Sequence, residues 1–103
     1  MATFHKVAEA KDLAPGSSKG VEVSGQKIAL FNIGGTFYAI GDACTHRGGS
    51  LSMGTLEGNT VTCPLHRATF DVTTGRNLTP PAPSMVGSYK VRVAGNDVEV
   101  EIP

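Results

Sequence analysis

Short segments of alternating apolar and polar residues run through much of the chain and end at glycine, proline or asparagine. The clearest pair is Tyr89–Val93 and Asp97–Ile102, which flank Gly95–Asn96. In both segments every second residue is apolar, and this period of two places one set of side chains on each face of a strand. The pattern predicts a hairpin with one buried face and with basic residues of one strand opposite acidic residues of the other.

Similar patterns upstream predict further strands and tight turns, so we expect an all-β protein. Ser24–Gly25, Gly34–Gly35 and Gly58–Asn59 have the composition of hairpin turns. The predicted elements are a strand at Phe4–Val7, one helical turn within Ala8–Leu13, and strands at Val21–Val23, Gln26–Asn32, Thr36–Ile40, Thr55–Glu57 and Thr60–Thr62. Five large apolar residues are expected to fill one common core: Ile28, Leu30, Phe31, Phe37 and Ile40.

The length of 103 residues suits a single domain, residues 1–103, with a modest core. Nine basic residues balance nine acidic ones, so neither nucleic acid nor an anionic membrane is expected as a partner. No apolar run approaches the length of a membrane span. Charged residues from Lys6 onward interrupt the N-terminus before any secretory signal could form, so we expect a freely diffusing protein.

Two of the three histidines lie close to the only two cysteines. Cys44 and His46 form a Cys-x-His pair, and Cys63 and His66 form a Cys-x-x-His pair sixteen residues later. Two thiolates and two imidazoles in mixed pairs suit a two-iron cluster with sulfur ligands on one iron and nitrogen ligands on the other. Structural zinc is the alternative, although zinc fingers usually present a cysteine pair and then a histidine pair. With both cysteines used as ligands no disulfide remains, which agrees with the reducing cytoplasm.

At these residues the chain resembles the Rieske iron–sulfur family, and most of all the small soluble Rieske-type ferredoxins of bacterial aromatic-ring-hydroxylating oxygenases. The resemblance rests on CTHRGGSLSMG and CPLHRATFD, and it extends to FYAIGDACTH before them and LTPPAPSMVGSYKVRV after them. It implies an antiparallel β-sandwich with a small cluster-binding subdomain at about residues 42–71. It also implies one [2Fe-2S] cluster per chain, with Cys44 and Cys63 on the inner iron and His46 and His66 on the solvent-facing iron.

The resemblance further implies a monomeric electron carrier and not an enzyme. Such a carrier accepts single electrons from an NAD(P)H-dependent flavoprotein reductase and passes them to a terminal Rieske oxygenase. The sequence argues against a catalytic oxygenase subunit, because a non-haem iron site uses two histidines and a carboxylate and only His5 is left over. Two alternatives stay open, a small Rieske-like subunit of a nitrite reductase and a zinc-stabilised structural module.

Four positions near the ligands suggest a low reduction potential. High-potential respiratory Rieske proteins have a disulfide between the two loops, and Gly49 and Leu65 stand at the matching positions here. Those proteins also have a serine and a tyrosine that donate hydrogen bonds to sulfur, where this chain has Ala68 and Phe70. Fewer donors stabilise the reduced cluster less, so we expect a potential near the low end of the family range, about −150 mV.

The flanks of the two motifs carry further expectations. Arg47 and Arg67 follow the histidines and are either ordinary surface residues or a cationic collar that steers an acidic redox partner. Met53 and Met85 are expected to pack beneath the cluster loops. Gly48, Gly49 and Gly54 are expected to allow tight turns and a close approach of the backbone.

Overall fold

The structure is a computed structural model that describes residues 3–42, 50–64, 68–79 and 86–102. These ranges contain two short 3₁₀ turns, Ala10–Asp12 and Leu51–Met53, and no helix long and apolar enough to cross a membrane. The strands are β1 (Thr3–Glu9), β2 (Ser18–Val23), β3 (Gln26–Ile33), β4 (Thr36–Gly41), β5 (Thr55–Glu57), β6 (Thr60–Thr62), β7 (Thr69–Asp71), β8 (Asn77–Thr79), β9 (Ser88–Tyr89), β10 (Val91–Ala94) and β11 (Asp97–Ile102). The predicted all-β class is confirmed.

Two hairpin turns near the N-terminus have the left-handed backbone that their sequences predict. φ is 51° at Ser24 and 81° at Gly25, and it is 61° at Gly34 and 97° at Gly35. Two successive left-handed residues give a turn whose twist matches that of the flanking strands. These turns join β2 to β3 and β3 to β4, and both hairpins are confirmed, although β2 begins earlier than expected, at Ser18.

The strands form three antiparallel sheets, with strand orders β1-β11-β10, β2-β3-β4-β9 and β5-β6-β7-β8. The predicted single strand Tyr89–Val93 is wrong, because the chain changes sheets at Lys90. Tyr89 pairs with Ala39 of β4, whereas Val91 pairs with Val100 of β11. The Tyr89 hydroxyl also donates to Gln26 Oε1 at 2.8 Å, which holds this strand end on the central sheet.

The central sheet, β2-β3-β4-β9, has a hydrophobic core on each face. Alternate residues of β3 point to opposite faces of the sheet, and both faces are buried. Ala29 and Phe31 lie on one face, and Ile28 and Leu30 lie on the other. The first core adds Ile40, Leu51, Val61, Cys63, Ala68, Phe70, Val72 and Val86, and the second adds Ala8, Leu13, Ala39, Val98, Val100 and Ile102. The expectation of one common core is therefore wrong, since Phe31 and Ile40 lie in the first and Ile28, Leu30 and the half-buried Phe37 in the second.

The C-terminal hairpin is buried on one face mainly through β11. Val98, Val100 and Ile102 are buried, but Val93 near the turn of the edge strand β10 is 48% exposed, contrary to the predicted burial of that face. On the solvent-facing side of the hairpin, Arg92 lies opposite Glu99 and forms an ion pair with it, as the charge pattern predicts. Exposed pairs of this kind stabilise a protein by only about 0.2–1 kcal/mol, so the apolar face carries most of the stability of the hairpin.

Candidate metal centre

Cys63 directly follows β6 and is the one predicted ligand within the described ranges. It is 1% exposed and belongs to the core that joins β6 and β7 to the central sheet. The Cys63 main-chain N–H donates to the Ala68 carbonyl oxygen at 2.7 Å. This bond joins the two residues that flank 64–67 in the sequence, the stretch that contains His66, and one of the two is the buried cysteine.

The other predicted ligand pair belongs to the first ligand loop of the sequence, residues 43–49, and the described residues on either side of it are also hydrogen-bonded to each other. Asp42 follows β4, and its carbonyl oxygen accepts a hydrogen bond from the Leu51 N–H at 2.7 Å. The Asp42 carboxylate accepts a further bond, from the Ser52 N–H to Oδ1, at 2.7 Å. Asp42 is therefore hydrogen-bonded to the described residues that follow 43–49, the stretch of sequence that contains Cys44 and His46.

The bases of these two loops are packed against each other. Leu51, at the end of the first loop, shares a buried cluster with Cys63 and Ala68, which bracket the second loop. Gly54 lies so close to β6 that an added Cβ would fall on the Thr62 carbonyl oxygen. The expected close approach at Gly54 is thus confirmed. Because each loop has at least one end in this buried group of side chains, a mixed Cys-x-His and Cys-x-x-His donor set fits a two-iron cluster here.

A third segment ends beside the first loop. The Val86 N–H donates to the Gly75 carbonyl oxygen at 2.9 Å, and the Gly41 N–H donates to the Gly87 carbonyl oxygen at 2.8 Å. The chain that follows residues 80–85 is thus attached next to Asp42. β8 (Asn77–Thr79) directly precedes residues 80–85 in the sequence.

Several predicted residues fall outside the described ranges. Only Cys63 of the four predicted ligands lies within them, and accordingly the described residues contain no group of three His, Cys, Asp or Glu side chains arranged to hold a metal. The residues named above that fall outside are Cys44, His46, Arg47, Gly48, Gly49, Leu65, His66, Arg67 and Met85.

Met53 corrects one expectation about the loops. Its side chain is 77% exposed, so it does not pack beneath them. It lies at the edge of an open cleft of about 340 Å³ that also includes Glu57, Cys63 and Pro64. Leu51 occupies the buried side of the 3₁₀ turn Leu51–Met53, and Met53 lies on its exposed side.

Sequence reasoning missed the role of Asp42, which it treated only as a boundary of the subdomain. An available signal was its position at the end of a strand and directly before a ligand loop. Aspartate in such positions often accepts hydrogen bonds from main-chain N–H groups further along the chain.

Comparisons with known proteins identify the family. The Rieske [2Fe-2S] domain family matches residues 3–90 of this chain. The 3-phenylpropionate/cinnamic acid dioxygenase ferredoxin subunit of Escherichia coli (strain K12) is 44% identical over 93 residues, which cover 89% of this chain and 87% of that protein. This chain therefore belongs to the Rieske [2Fe-2S] domain family.

Two solved structures share both the fold and part of the sequence. The ferredoxin of carbazole 1,9a-dioxygenase from Nocardioides aromaticivorans IC177 has a TM-score of 0.91 and 33% identity, covering 95% of this chain and 96% of that one. A complex of reduced oxygenase and oxidized ferredoxin in carbazole 1,9a-dioxygenase has a chain with a TM-score of 0.89 and 38% identity, covering 94% of this chain and 91% of that one. They confirm the predicted Rieske-like β-sandwich.

The chain is thus a Rieske-type ferredoxin, an electron-transfer protein and not a catalytic subunit. Its cofactor is the [2Fe-2S] cluster that defines the family, and not the structural zinc that the sequence left as an alternative.

Proposed function

We propose that this chain is the mobile electron carrier of an aromatic-ring dioxygenase system. It accepts single electrons from an NAD(P)H-dependent flavoprotein reductase and delivers them to a terminal Rieske oxygenase. The relative from E. coli, a dioxygenase ferredoxin subunit, supports the choice of system. The complex of oxygenase and ferredoxin formed in carbazole 1,9a-dioxygenase supports the choice of acceptor. The carrier works in the cytoplasm as a monomer, without nucleic acid or membrane.

In this proposal one domain, residues 1–103, holds one cluster, and the cluster-binding subdomain spans about residues 42–71. Cys44 and Cys63 bind the inner iron, and His46 and His66 bind the outer one. The observation that carries the assignment is that both ligand loops close against one buried cluster of side chains.

The cluster supplies one-electron chemistry, and the chain supplies its environment. Cys63 and Ala68 are buried in the core, so the protein excludes water from the sulfur of Cys63. Pro64, the next residue, is exposed, so the chain reaches the surface within one residue of the buried ligand. An electron therefore has only a short distance to cover between the proposed cluster and a docked partner.

Ligand assignment is tested by replacing histidines one at a time. We expect the protein, purified without oxygen, to contain two irons and two sulfides per chain and to give a Rieske-type electron paramagnetic resonance (EPR) spectrum when reduced. His46→Ala and His66→Ala should lose this spectrum. His5→Ala is the matched control, because His5 lies in β1, and it should keep the full iron content. A spectrum that survives in either ligand variant would refute the assignment.

The carrier role is tested with the reductase and terminal oxygenase of the E. coli 3-phenylpropionate dioxygenase. The reduced protein should transfer its electron to the oxidised oxygenase, and a Cys63→Ser chain without cluster should not. A nitrite reductase large subunit, offered in place of the oxygenase, tests the alternative that the sequence left open. Transfer to that subunit and none to the oxygenase would contradict the proposed system while leaving the cluster assignment intact.

A further inference from the structure

Asp42 is a buried acidic residue at the point where the chain leaves the central sheet for the first ligand loop. It is 8% exposed, and its main-chain N–H donates to the Lys27 carbonyl oxygen of β3 at 3.0 Å. Two main-chain N–H groups that follow the loop donate hydrogen bonds to Asp42. Leu51 donates to its carbonyl oxygen, and Ser52 donates to its carboxylate. One residue thus fixes the start of the loop to the sheet and the end of the loop to itself.

Ser52 is held from the opposite side as well. Its carbonyl oxygen accepts a hydrogen bond from Ser18 Oγ of β2 at 2.8 Å. Gly20, also in β2, leaves no room between the strand and this pair. A Cβ added to Gly20 would lie 2.8 Å from Ser52 Oγ and 3.4 Å from Asp42 Oδ2. The carboxylate and the residue that donates to it are therefore clamped against a regular strand, which limits how far the loop end can move.

The two halves of the proposed ligand set depend on different attachments. Cys63 is held by the hairpin of β6 and β7 through the bond to Ala68. Cys44 and His46 follow Asp42 by two and four residues, in a loop whose closing bonds both end on Asp42. A shift at Asp42 would move two ligands relative to the third, and a metal centre tolerates little such movement.

We infer that Asp42 is a positioning residue of the [2Fe-2S] centre. Its buried carboxylate, by accepting the Ser52 N–H, sets where Cys44 and His46 stand relative to Cys63. This inference rests on the proposed ligand assignment and adds to it a residue that is not one of the four proposed ligands.

The test compares three variants of Asp42 with a control at Asn32. Asp42→Ala removes the acceptor. Asp42→Asn keeps an oxygen at the Oδ1 position and removes the charge. Asp42→Glu keeps the charge and moves it by one methylene. Asn32 is a matched control, because it is 4% exposed and closes other loops, with Nδ2 donating to the Leu13 carbonyl at 2.7 Å and Oδ1 accepting from the Gly35 N–H at 2.8 Å.

We expect Asp42→Ala to lose iron to a chelator about ten times faster than the parent, as the loss of one buried acceptor predicts. Its reduced cluster should give shifted EPR g-values. Asp42→Asn should restore both properties to near those of the parent, and Asp42→Glu should behave like Asp42→Ala. Asn32→Ala should lower Tm without changing the iron-loss rate or the g-values. If Asp42→Ala does not fold, the contrast between Asp42→Asn and Asp42→Glu decides the question.

Two results would overturn the inference, and they are distinguishable. If the parent contains the cluster and the Asp42 variants match Asn32→Ala in iron loss and g-values, the carboxylate only stabilises the fold and the positioning role is wrong. If His46→Ala keeps the parent spectrum, the ligand assignment fails first, and the inference fails with it.

Discussion

Gly54→Ala is expected to separate the two ligand loops, and its cost follows from the atoms around Gly54. The added Cβ would fall on the Thr62 carbonyl oxygen and would lie 3.1 Å from the Thr62 carbonyl carbon and 3.2 Å from the Leu51 carbonyl oxygen. All three are main-chain atoms, so no side-chain rotation relieves the contact. We therefore place the cost at the upper end of the range for overpacking, about 3 kcal/mol.

That cost is large relative to the whole fold. A chain of this length has a free energy of unfolding of about 5–15 kcal/mol. At about 4–8 °C per kcal/mol for a domain of about 100 residues, Tm should fall by roughly 12–24 °C. The [2Fe-2S] cluster should be lost as well, because the contact that the methyl group breaks is one of those that join the two loop bases.

The assay is thermal unfolding of the protein purified without oxygen, followed by the visible absorbance of the cluster and by circular dichroism of the backbone. Gly41→Ala is the matched control, since its Cβ would meet Val86 Cβ at 3.6 Å and Gly87 N at 3.7 Å, both ordinary contacts. Its Tm should stay within a few degrees of the parent, because an alanine that fits changes stability by only about 0.4–1 kcal/mol. A Gly54→Ala protein as stable as Gly41→Ala and with full cluster absorbance would refute this reasoning.

Three further predictions concern other parts of the chain. Gly75→Ala should lower stability in urea unfolding by about 3 kcal/mol or more, since the new Cβ would fall on the Val86 carbonyl oxygen and φ is 80°. Ala68→Ser should raise the reduction potential from about −150 mV by roughly 60 mV, if the new hydroxyl favours the reduced cluster by about 1.4 kcal/mol. Asp97, 3.1 Å from Lys6, raises the pKa of Lys6 above 10.5, so the pair should stabilise the fold below that pH and lose its effect as pH rises through the raised value.

Each of these predictions has a control and a result that contradicts it. Gly16→Ala has φ of 86° and no atom near the new Cβ, so it isolates the backbone cost and should be milder than Gly75→Ala. Ala39→Ser adds the same hydroxyl in the second core, and its potential should match the parent. An equal rise in both serine variants would show that the hydroxyl does not act on the cluster. If Lys6→Met unfolds at alkaline pH with the same pH dependence as the parent, the ion pair plays no part in it.

Features that depend on neighbouring residues could be predicted from the sequence. The turns at Ser24–Gly25 and Gly34–Gly35 need two left-handed residues in succession, and glycine marks such places. The strands β5 and β6 were predicted with the bounds that the structure gives them. The spacing of the Cys and His pairs likewise depends only on residues within one loop.

Features that depend on distant packing could not be predicted in this way. The apolar run Ile28–Phe31 shows that β3 is buried, but not that its two faces belong to different cores. The alternation of Tyr89–Val93 continues through the point where the chain changes sheets, because both sheets need the same period of two. The exposure of Met53 depends on which side of the 3₁₀ turn Leu51–Met53 packs on the core, and Leu51 takes that side.

The double burial of β3 also bears on how the molecule comes apart. A strand that belongs to two cores cannot be released from one without weakening the other, so the two cores should unfold in a single cooperative event. The main-chain amides of residues 28–31 should accordingly exchange with deuterium more slowly than those of the edge strands. For an electron carrier this coupling has a further benefit. A rigid central sheet limits how far atoms move each time the protein gains or loses an electron.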